Sequence, residues 1–275
     1  MFLRLCIFIG TVLFPSVAFS VNLVPERIEF VIVIPSYNNE KWCIENIVSC
    51  LNQTYPHFTI YYIDDCSNDR TGELVERFVL SRGLTNKCTI MHNTERRGAL
   101  SNLYTIISKI NPKKVIVTVD GDDTLEDSHV LEKLAAIYAD RSVWITYGNF
   151  RRNVPPIYAS CCEAFPEEVI KNRSFRSYKW VASHLRTFYA GLFHHVKKED
   201  LLWNGKFLPM AWDVAFMMPM LEMASQNHFR FVQDVLYVYR VTNPLSDFRM
   251  DEPLQKSLEE YIRKKPSYSA LETLF

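Results

Sequence analysis

At 275 residues the chain can bury a substantial core and is most simply one large α/β domain. Its 31 basic residues balance 31 acidic ones, which gives no support to nucleic-acid binding, usually marked by a basic excess. A hydrophobic share of 48% with only eight glycines argues against a disordered or fibrous chain.

Residues 1–20 stand apart. Arg4 precedes an apolar run from Leu5 to Phe14, followed by Pro15 and Val17-Ala18-Phe19-Ser20. This fits a signal peptide cleaved after Ser20 or, alternatively, an uncleaved membrane anchor. Either predicts a secretory-pathway, periplasmic or membrane-associated location, with membrane association through the N-terminus. The cysteines are Cys6, Cys43, Cys50, Cys66, Cys88, Cys161 and Cys162. Without Cys6 an even set remains, which suits disulfides in an oxidising compartment; buried thiols are the simpler reading, and no zinc-like spacing occurs.

From Glu29 the chain alternates strand and helix. Phe30 to Ile34 is a buried-strand run stopped by Pro35, and Asn38 or Asn39 can cap a helix whose Ile44, Ile47, Val48 and Leu51 share one face. Thr54-Tyr55-Pro56 ends that helix. Phe58 to Ile63 is the second strand, Thr71 to Arg82 a helix, Cys88 to His92 a short strand, and Gly98 to Ile110 a helix. Val115 to Val119 is the next strand, followed by a helix from about Ser128 to Tyr138. Such alternation predicts parallel pairing with right-handed crossovers. The second half is less regular. Trp144 to Tyr147 reads as a strand, Arg151 to Pro156 as a loop, Phe175 to Ser183 as a helix and Phe188 to His195 as a strand. Asp213 to Ser225 reads as a helix kinked or delayed by Pro219, and Phe229 to Arg240 as the closing strand.

The stretch Val115-Ile116-Val117-Thr118-Val119 runs straight into Asp120-Gly121-Asp122-Asp123. Gly121 lets the chain turn sharply, so three carboxylates crowd at the carboxyl end of a buried strand, where open α/β sheets bind ligands. They repel one another unless a cation sits among them, and an oxygen-rich cluster suits Mn²⁺ or Mg²⁺. The plain alternative is a solvated Asp-Gly turn capping the next helix.

Three further strand ends carry polar signatures in a fixed order. Val31-Ile32-Val33-Ile34-Pro35-Ser36-Tyr37-Asn38-Asn39-Glu40 resembles the first strand and loop of the family 2 glycosyltransferases of GT-A fold. Ile63-Asp64-Asp65-Cys66-Ser67-Asn68-Asp69 resembles the second strand end, with Cys66 where Gly or Asn is commoner, and Asn93 to Asn102 the Gly-containing third segment. Asp120-Gly121-Asp122-Asp123 falls where that family carries its DXD motif, and Gln53-Thr54-Tyr55-Pro56 also fits. The resemblance is firm from Arg27 to Tyr147 and looser beyond.

It implies a GT-A-type nucleotide-diphospho-sugar transferase fold, a mixed, mostly parallel sheet flanked by helices. The domain would span residues 27–247, with a helical tail over 248–275. The implied function is metal-dependent, inverting transfer of a sugar from a nucleoside diphosphate donor, a UDP-sugar foremost, to the hydroxyl of a carbohydrate, lipid-linked or protein acceptor. Donor contacts are implied at Pro35, Tyr37, Glu40, Asp65, Arg97, Gly98 and Asp120. Tyr37 would stack on the base, Asp65 accept hydrogen bonds from its edge, and Arg97 and Gly98 lie near the diphosphate. Asp122 is the foremost metal ligand, with Asp120 and Asp123 beside it, for Mn²⁺ or Mg²⁺. The family's base is an aspartate opening a helix, often within Glu-Asp; here Trp212-Asp213 matches, so Asp213 is the expected base and Trp212 departs from the pattern. One of His194 and His195 is placed to meet the metal or diphosphate, while His184 has no assigned role. Arg240 and Asp247 lie where a loop closes over donor. The rival reading is a non-catalytic glycan- or nucleotide-binding protein on the same scaffold. A nucleotidyltransferase would want a Gly-rich, basic loop after the first strand, which Pro35-Ser36-Tyr37-Asn38-Asn39 is not.

Overall fold

The computed structural model describes residues 27–157, 162–245 and 250–275. In chain order the first part runs β1 (Phe30–Ser36), α1 (Cys43–Leu51), β2 (Phe58–Asp64), α2 (Thr71–Ser81), β3 (Cys88–His92), α3 (Ala99–Ile107), β4 (Val115–Thr118), β5 (Thr124–Leu125) and α4 (Val130–Tyr138). The second part runs β6 (Ile145–Arg152), α5 (Glu167–Lys171), β7 (Arg186–Tyr189), α6 (Ala190–His194), β8 (Leu202–Trp203), β9 (Lys206–Phe207), α7 (Trp212–Met223), β10 (Phe229–Tyr239) and α8 (Glu252–Arg263). One eight-stranded sheet has the order β3-β2-β1-β4-β7-β6-β10-β5. The first four strands pair in parallel, β7 is antiparallel to both neighbours, β10 is parallel to β6, and β5 is antiparallel to β10. This is the mixed, mostly parallel sheet the sequence predicts. Every residue of β1 and of β4 is buried, as continuous β-branched runs at the middle of a covered sheet require.

Pro35 does not stop β1. Its side of the ladder faces β4, which pairs with β1 only as far as Val33, so the missing N–H forgoes no strand bond there. Neither Asn38 nor Asn39 caps α1 through a side chain. The Asn39 carbonyl accepts the Trp42 and Cys43 amides, while its side chain donates to Ser36 Oγ at 3.0 Å. Gln53 explains its motif: Nε2 donates to the Ser49 and Asp127 carbonyls at 3.1 and 2.7 Å, and Oε1 accepts from Leu131 N at 3.0 Å. One buried amide thus ties α1 to the start of α4.

The second half corrects three expectations. The helix read over Phe175 to Ser183 is only a 3₁₀ turn at Phe175–Ser177, because Phe175 plugs the core against Phe165 and Phe229 while Arg176 reaches away to Glu222. The strand read over Phe188 to His195 is β7 followed by α6, since a short buried apolar run suits strand and helix alike. The loop read from Arg151 begins later, as β6 continues through Arg152. α7 starts at Trp212 and carries Pro219 inside it; nearly all its later residues are buried, so packing outweighs the lost backbone bond.

The C-terminal segment is stitched to α7 by a buried ion pair. Arg176 meets Glu222 at 2.6 and 2.8 Å, with Glu222 fully buried, and Glu222 Oε2 also accepts from Tyr268 N at 2.9 Å. Arg176 Nη1 donates to the Ile262 carbonyl at 2.7 Å at the end of α8.

The expected secretory or membrane-associated location is not supported: among the described residues no helix is long and apolar enough to cross a membrane. The leader read over residues 1–20 lies outside the described residues, as do Cys6, Cys161 and Asp247. Cys43, Cys50, Cys66 and Cys88 are free thiols. Burial pushes the thiol of Cys43 up to about 11 and those of Cys50 and Cys88 to about 12.

Removing one partner of a buried pair leaves the other uncompensated, whereas an exposed pair contributes little. Glu222→Ala is therefore expected to lower stability by about 3–5 kcal/mol in thermal or urea unfolding. Arg77→Ala, which breaks the exposed Arg77–Glu73 pair, should leave the midpoint unchanged. Equal effects would show that the tail is not anchored through Glu222.

Candidate active site

The aspartate turn is built by groups distant in sequence. Asp123 N donates to the Asp120 carbonyl at 3.0 Å and closes it. Asn46 of α1 donates its side-chain amide to the carbonyls of Asp120 and Asp123 at 2.9 and 2.8 Å. Tyr237 of β10 accepts the Asp120 amide at 3.0 Å. Arg240 donates its backbone N–H to Asp123 Oδ1 at 2.6 Å and Nε to the Asp122 carbonyl at 2.8 Å, while Nη2 pairs with Glu45 at 2.6 Å. Arg240 is thus a clasp between β10, the turn and α1 rather than part of a closing loop. A Cβ on Gly121 would collide with Ser36 and lie 2.8 Å from Asn39 Nδ2, so only glycine lets the turn approach β1 so closely.

The three carboxylates differ. Asp123 is buried, and its Oδ2 makes no hydrogen bond. Burial first, then Asp122 and Asp120, pushes it well above the usual carboxylate range. Asp122 borders the cleft and accepts from Asn243 Nδ2 at 2.7 Å; burial nevertheless raises its pKa. Asp120 also borders the cleft and lies 3.5 Å from Nη2 of Arg186.

Arg186, at the start of β7, is 1% exposed and also meets Asp213 Oδ2 at 3.1 Å. Its guanidinium carbon stands 5.0 Å from the Trp212 ring. One cation therefore joins the DXD aspartate to the aspartate opening α7. Nothing local in Ser183-His184-Leu185-Arg186-Thr187 announces it.

His184 is the second residue missed. It is buried, stacked on Tyr237 at 4.5 Å, and its Nδ1 makes no hydrogen bond. Burial, and then Arg186, hold its pKa well below the ordinary range, so the ring is neutral and able to ligate. One atom each from Asp120, Asp123 and His184 lie within 4.8 Å of one another. Oxygen donors with one neutral imidazole, and carboxylates raised by burial and mutual repulsion, fit a divalent cation of the Mn²⁺ or Mg²⁺ kind. His194 and His195 are elsewhere: His194 Nε2 is 2.8 Å from the Ile107 carbonyl, and neither lines the cleft.

The cleft, of about 250 Å³, brings together Pro35, Tyr37, Asp65, Gly98, Asp120, Asp122 and Asp213 of the predicted residues. Asp65 is 3% exposed and accepts from Asn93 Nδ2 at 2.7 Å, Arg97 N at 2.9 Å and Gly98 N at 2.8 Å. Burial would raise its pKa, but the bonds from Asn102, Arg97, Asn93 and Gly98 outweigh it and hold the carboxyl below its ordinary value. Arg97 contributes its backbone there; its side chain lies 4.0 Å from Glu95, and the cleft is lined by Arg96 instead, whose guanidinium is 4.0 Å from the Tyr37 ring. Glu40 is turned to Arg70 at 2.9 Å and does not border the cleft.

Comparison with known proteins agrees with this geometry. The profile described as Glycosyl transferase family 2 matches residues 31–180. The glycosyltransferase GlyG of Streptococcus pneumoniae serotype 4 (strain ATCC BAA-334 / TIGR4) is 27% identical over 222 residues, covering 76% of this chain and 69% of that protein. The crystal structure of S. aureus TarS 1-349 in complex with UDP-GlcNAc superposes with a TM-score of 0.58 at 19% identity, over 78% of this chain and 59% of that one. The mannosyltransferase PcManGT from Pyrobaculum calidifontis, in complex with GDP-Man and Mn²⁺, gives a TM-score of 0.57 at 18% identity, over 88% of this chain and 67% of that one. The chain thus spans less than two thirds of the TarS structure, and these two likenesses establish the GT-A fold. Because the profile covers more than half of the residues and takes in all the strand-end signatures around the cleft, the chain belongs to glycosyl transferase family 2.

Proposed function

We propose that the protein transfers a sugar from a nucleoside diphosphate donor, a UDP-sugar foremost, to an acceptor hydroxyl with inversion at the anomeric carbon. One observation carries the reading. The aspartate that borders the donor cleft after β4 and the aspartate that opens α7 meet on a single guanidinium, Arg186. Diphosphate-side and acceptor-side chemistry are thereby held at one place. The donors held by TarS, UDP-GlcNAc, and by PcManGT, GDP-Man with Mn²⁺, support a nucleotide-sugar and a metal here.

Tyr37 and Arg96 offer an aromatic face and a planar cation to the base. Asp65, on the cleft wall with its carboxylate favoured by Asn93 and the amides of Arg97 and Gly98, would accept an N–H from a base edge. Gly98, at φ 83° and with open space where a Cβ would stand, lets the diphosphate approach backbone. Asp120, Asp123 and His184, whose ligand atoms converge, would hold the cation together with Asp122 from the cleft side. Once bound it would neutralise the charge that develops on the leaving diphosphate. Asp213 takes the proton from the acceptor hydroxyl as the oxygen attacks the anomeric carbon. That carbon's bond to the diphosphate oxygen breaks with its electron pair, giving an inverted glycoside and a nucleoside diphosphate. Arg186 keeps the Asp213 carboxylate aimed at the cleft. Asp120, Asp122 and Asp213 are intact, which favours an enzyme over a silent scaffold.

Calorimetric titration of UDP is expected to show binding with Mn²⁺, weakened at least about tenfold by EDTA and by Asp122→Asn, as loss of one charged ligand predicts. No binding of UDP, GDP or dTDP under any metal condition would favour the scaffold reading. Asp213→Asn should leave UDP affinity unchanged and reduce turnover of the accepted UDP-sugar by about 10²–10⁴-fold, the usual contribution of a general base. Unreduced turnover would remove Asp213 from that role.

A further inference from the structure

A second cavity, of about 520 Å³, lies on the other side of Asp213, and Asp213, His184, Ala211, Tyr239 and Gln255 border both spaces. Besides His184, whose ring is assigned to the cation, three side chains on its wall carry a shielded polar atom with no hydrogen-bond partner: Nε of Arg152, Nε1 of Trp180 and Oε1 of Gln255. Buried donors and acceptors are costly to leave unmatched, and several residues with such atoms on the wall of one void mark a place where a polar ligand could complete them. Phe150, Val214 and Val241 supply apolar wall between them. Hydroxyl groups that both donate and accept, on a ring with apolar faces, match this mixture.

The charges are uneven. Glu259 is matched by Arg263 at 2.7 and 2.8 Å, and Asp213 by Arg186 at 3.1 Å. Arg152 is the one charged side chain on the wall with no ion-pair partner among the described residues. Strand alternation separates it from its neighbour: Arg151 turns to Glu126 at 2.7 Å, and Arg152, last in β6, borders the cavity. A guanidinium among unmatched donors, beside a tryptophan, is a receptor for an anion carried on a sugar.

We propose that this cavity binds the acceptor, and that the acceptor is an anionic sugar, with its carboxylate or phosphate on Arg152, its ring beside Trp180 and a hydroxyl presented to Asp213. This rests on the transferase reading above for the meaning of "acceptor", but not for the binding itself.

The test uses three probes that share a ring: glucuronate, glucose 6-phosphate and glucose. Ligand-detected NMR titration of the full chain, with and without UDP and Mn²⁺, gives their affinities. One or both anionic probes are expected to bind about tenfold more tightly than glucose, the worth of a charge-assisted bond, and which of the two prevails separates carboxylate from phosphate. Arg152→Gln should abolish the preference, Arg152→Lys should restore most of it, and Trp180→Ala should weaken all three probes. UDP affinity and the thermal midpoint serve as folding controls for each variant. Equal binding of all three probes, or an anion preference unchanged in Arg152→Gln, overturns the proposal. If UDP fails to bind the unaltered protein while the Arg152-dependent preference persists, the donor reading falls and the anion site stands. UDP binding without any anion preference gives the converse.

Discussion

The structure depends on one buried positive charge. Arg186 is 1% exposed, and a guanidinium taken so far from water is tolerated only where fixed carboxylates surround it. Asp120 at 3.5 Å and Asp213 at 3.1 Å do so, from the end of β4 and the start of α7. Burial acts against the arginine's charge, and Asp120 and Asp213 more than offset it. The cost of separating these groups locks the register of β7 against β4, fixes where α7 begins, and sets Asp213 against the cleft. The backbone there is itself constrained: Ala211, just before α7, holds a left-handed φ of 51°, a conformation that a non-glycine residue keeps only when its surroundings impose it.

The aspartate turn obeys the complementary constraint. Crowded carboxylates destabilise a fold, and here four backbone groups of the turn are claimed by side chains from elsewhere: Asn46, Tyr237 and Arg240. β10 can deliver two of these because register shifts between Val232 and Tyr237 bend it across the end of the turn. With the backbone fixed by other means, the carboxylates of Asp120 and Asp122 are left facing the cleft. What remains unfavourable, the raised pKa values of Asp122 and Asp123 and the unmatched Asp123 Oδ2, is what a divalent cation would relieve.

Much of the donor side was legible in the sequence because its signals are local. A β-branched run, a polar strand end and an amphipathic helix repeat along the first half, and Tyr37, Asp65, Gly98 and Asp120 sit at those strand ends. The remaining site residues carry no such signal. Arg186 and His184 are ordinary residues in an irregular stretch, and they acquire meaning only when β7 lies beside β4 and Tyr237 of β10 stacks on His184. Arg96 was passed over for Arg97 because two adjacent arginines look alike until Gly98 turns the chain and the Tyr37 ring receives one of them. β7 and α6 merged into one strand for a related reason: buried on all sides, neither shows the periodicity that separates the two.

The two cavities follow from the same division. The cleft beside Asp120 is formed by the ends of parallel strands, a geometry that recurs wherever such a sheet is built. The second cavity is assembled from the last residue of β6, the chain after Phe175–Ser177, the end of β10 and α8, elements held in place by particular side chains such as Glu222. Its lining can therefore change without disturbing the sheet, whereas Asp120 and Arg186 cannot. Asp213 belongs to both, fixed by its arginine on one side and open to whatever the variable wall admits on the other. On the reading proposed above, a base shared in this way would let one donor site serve different acceptors, since only the far wall would have to be rebuilt.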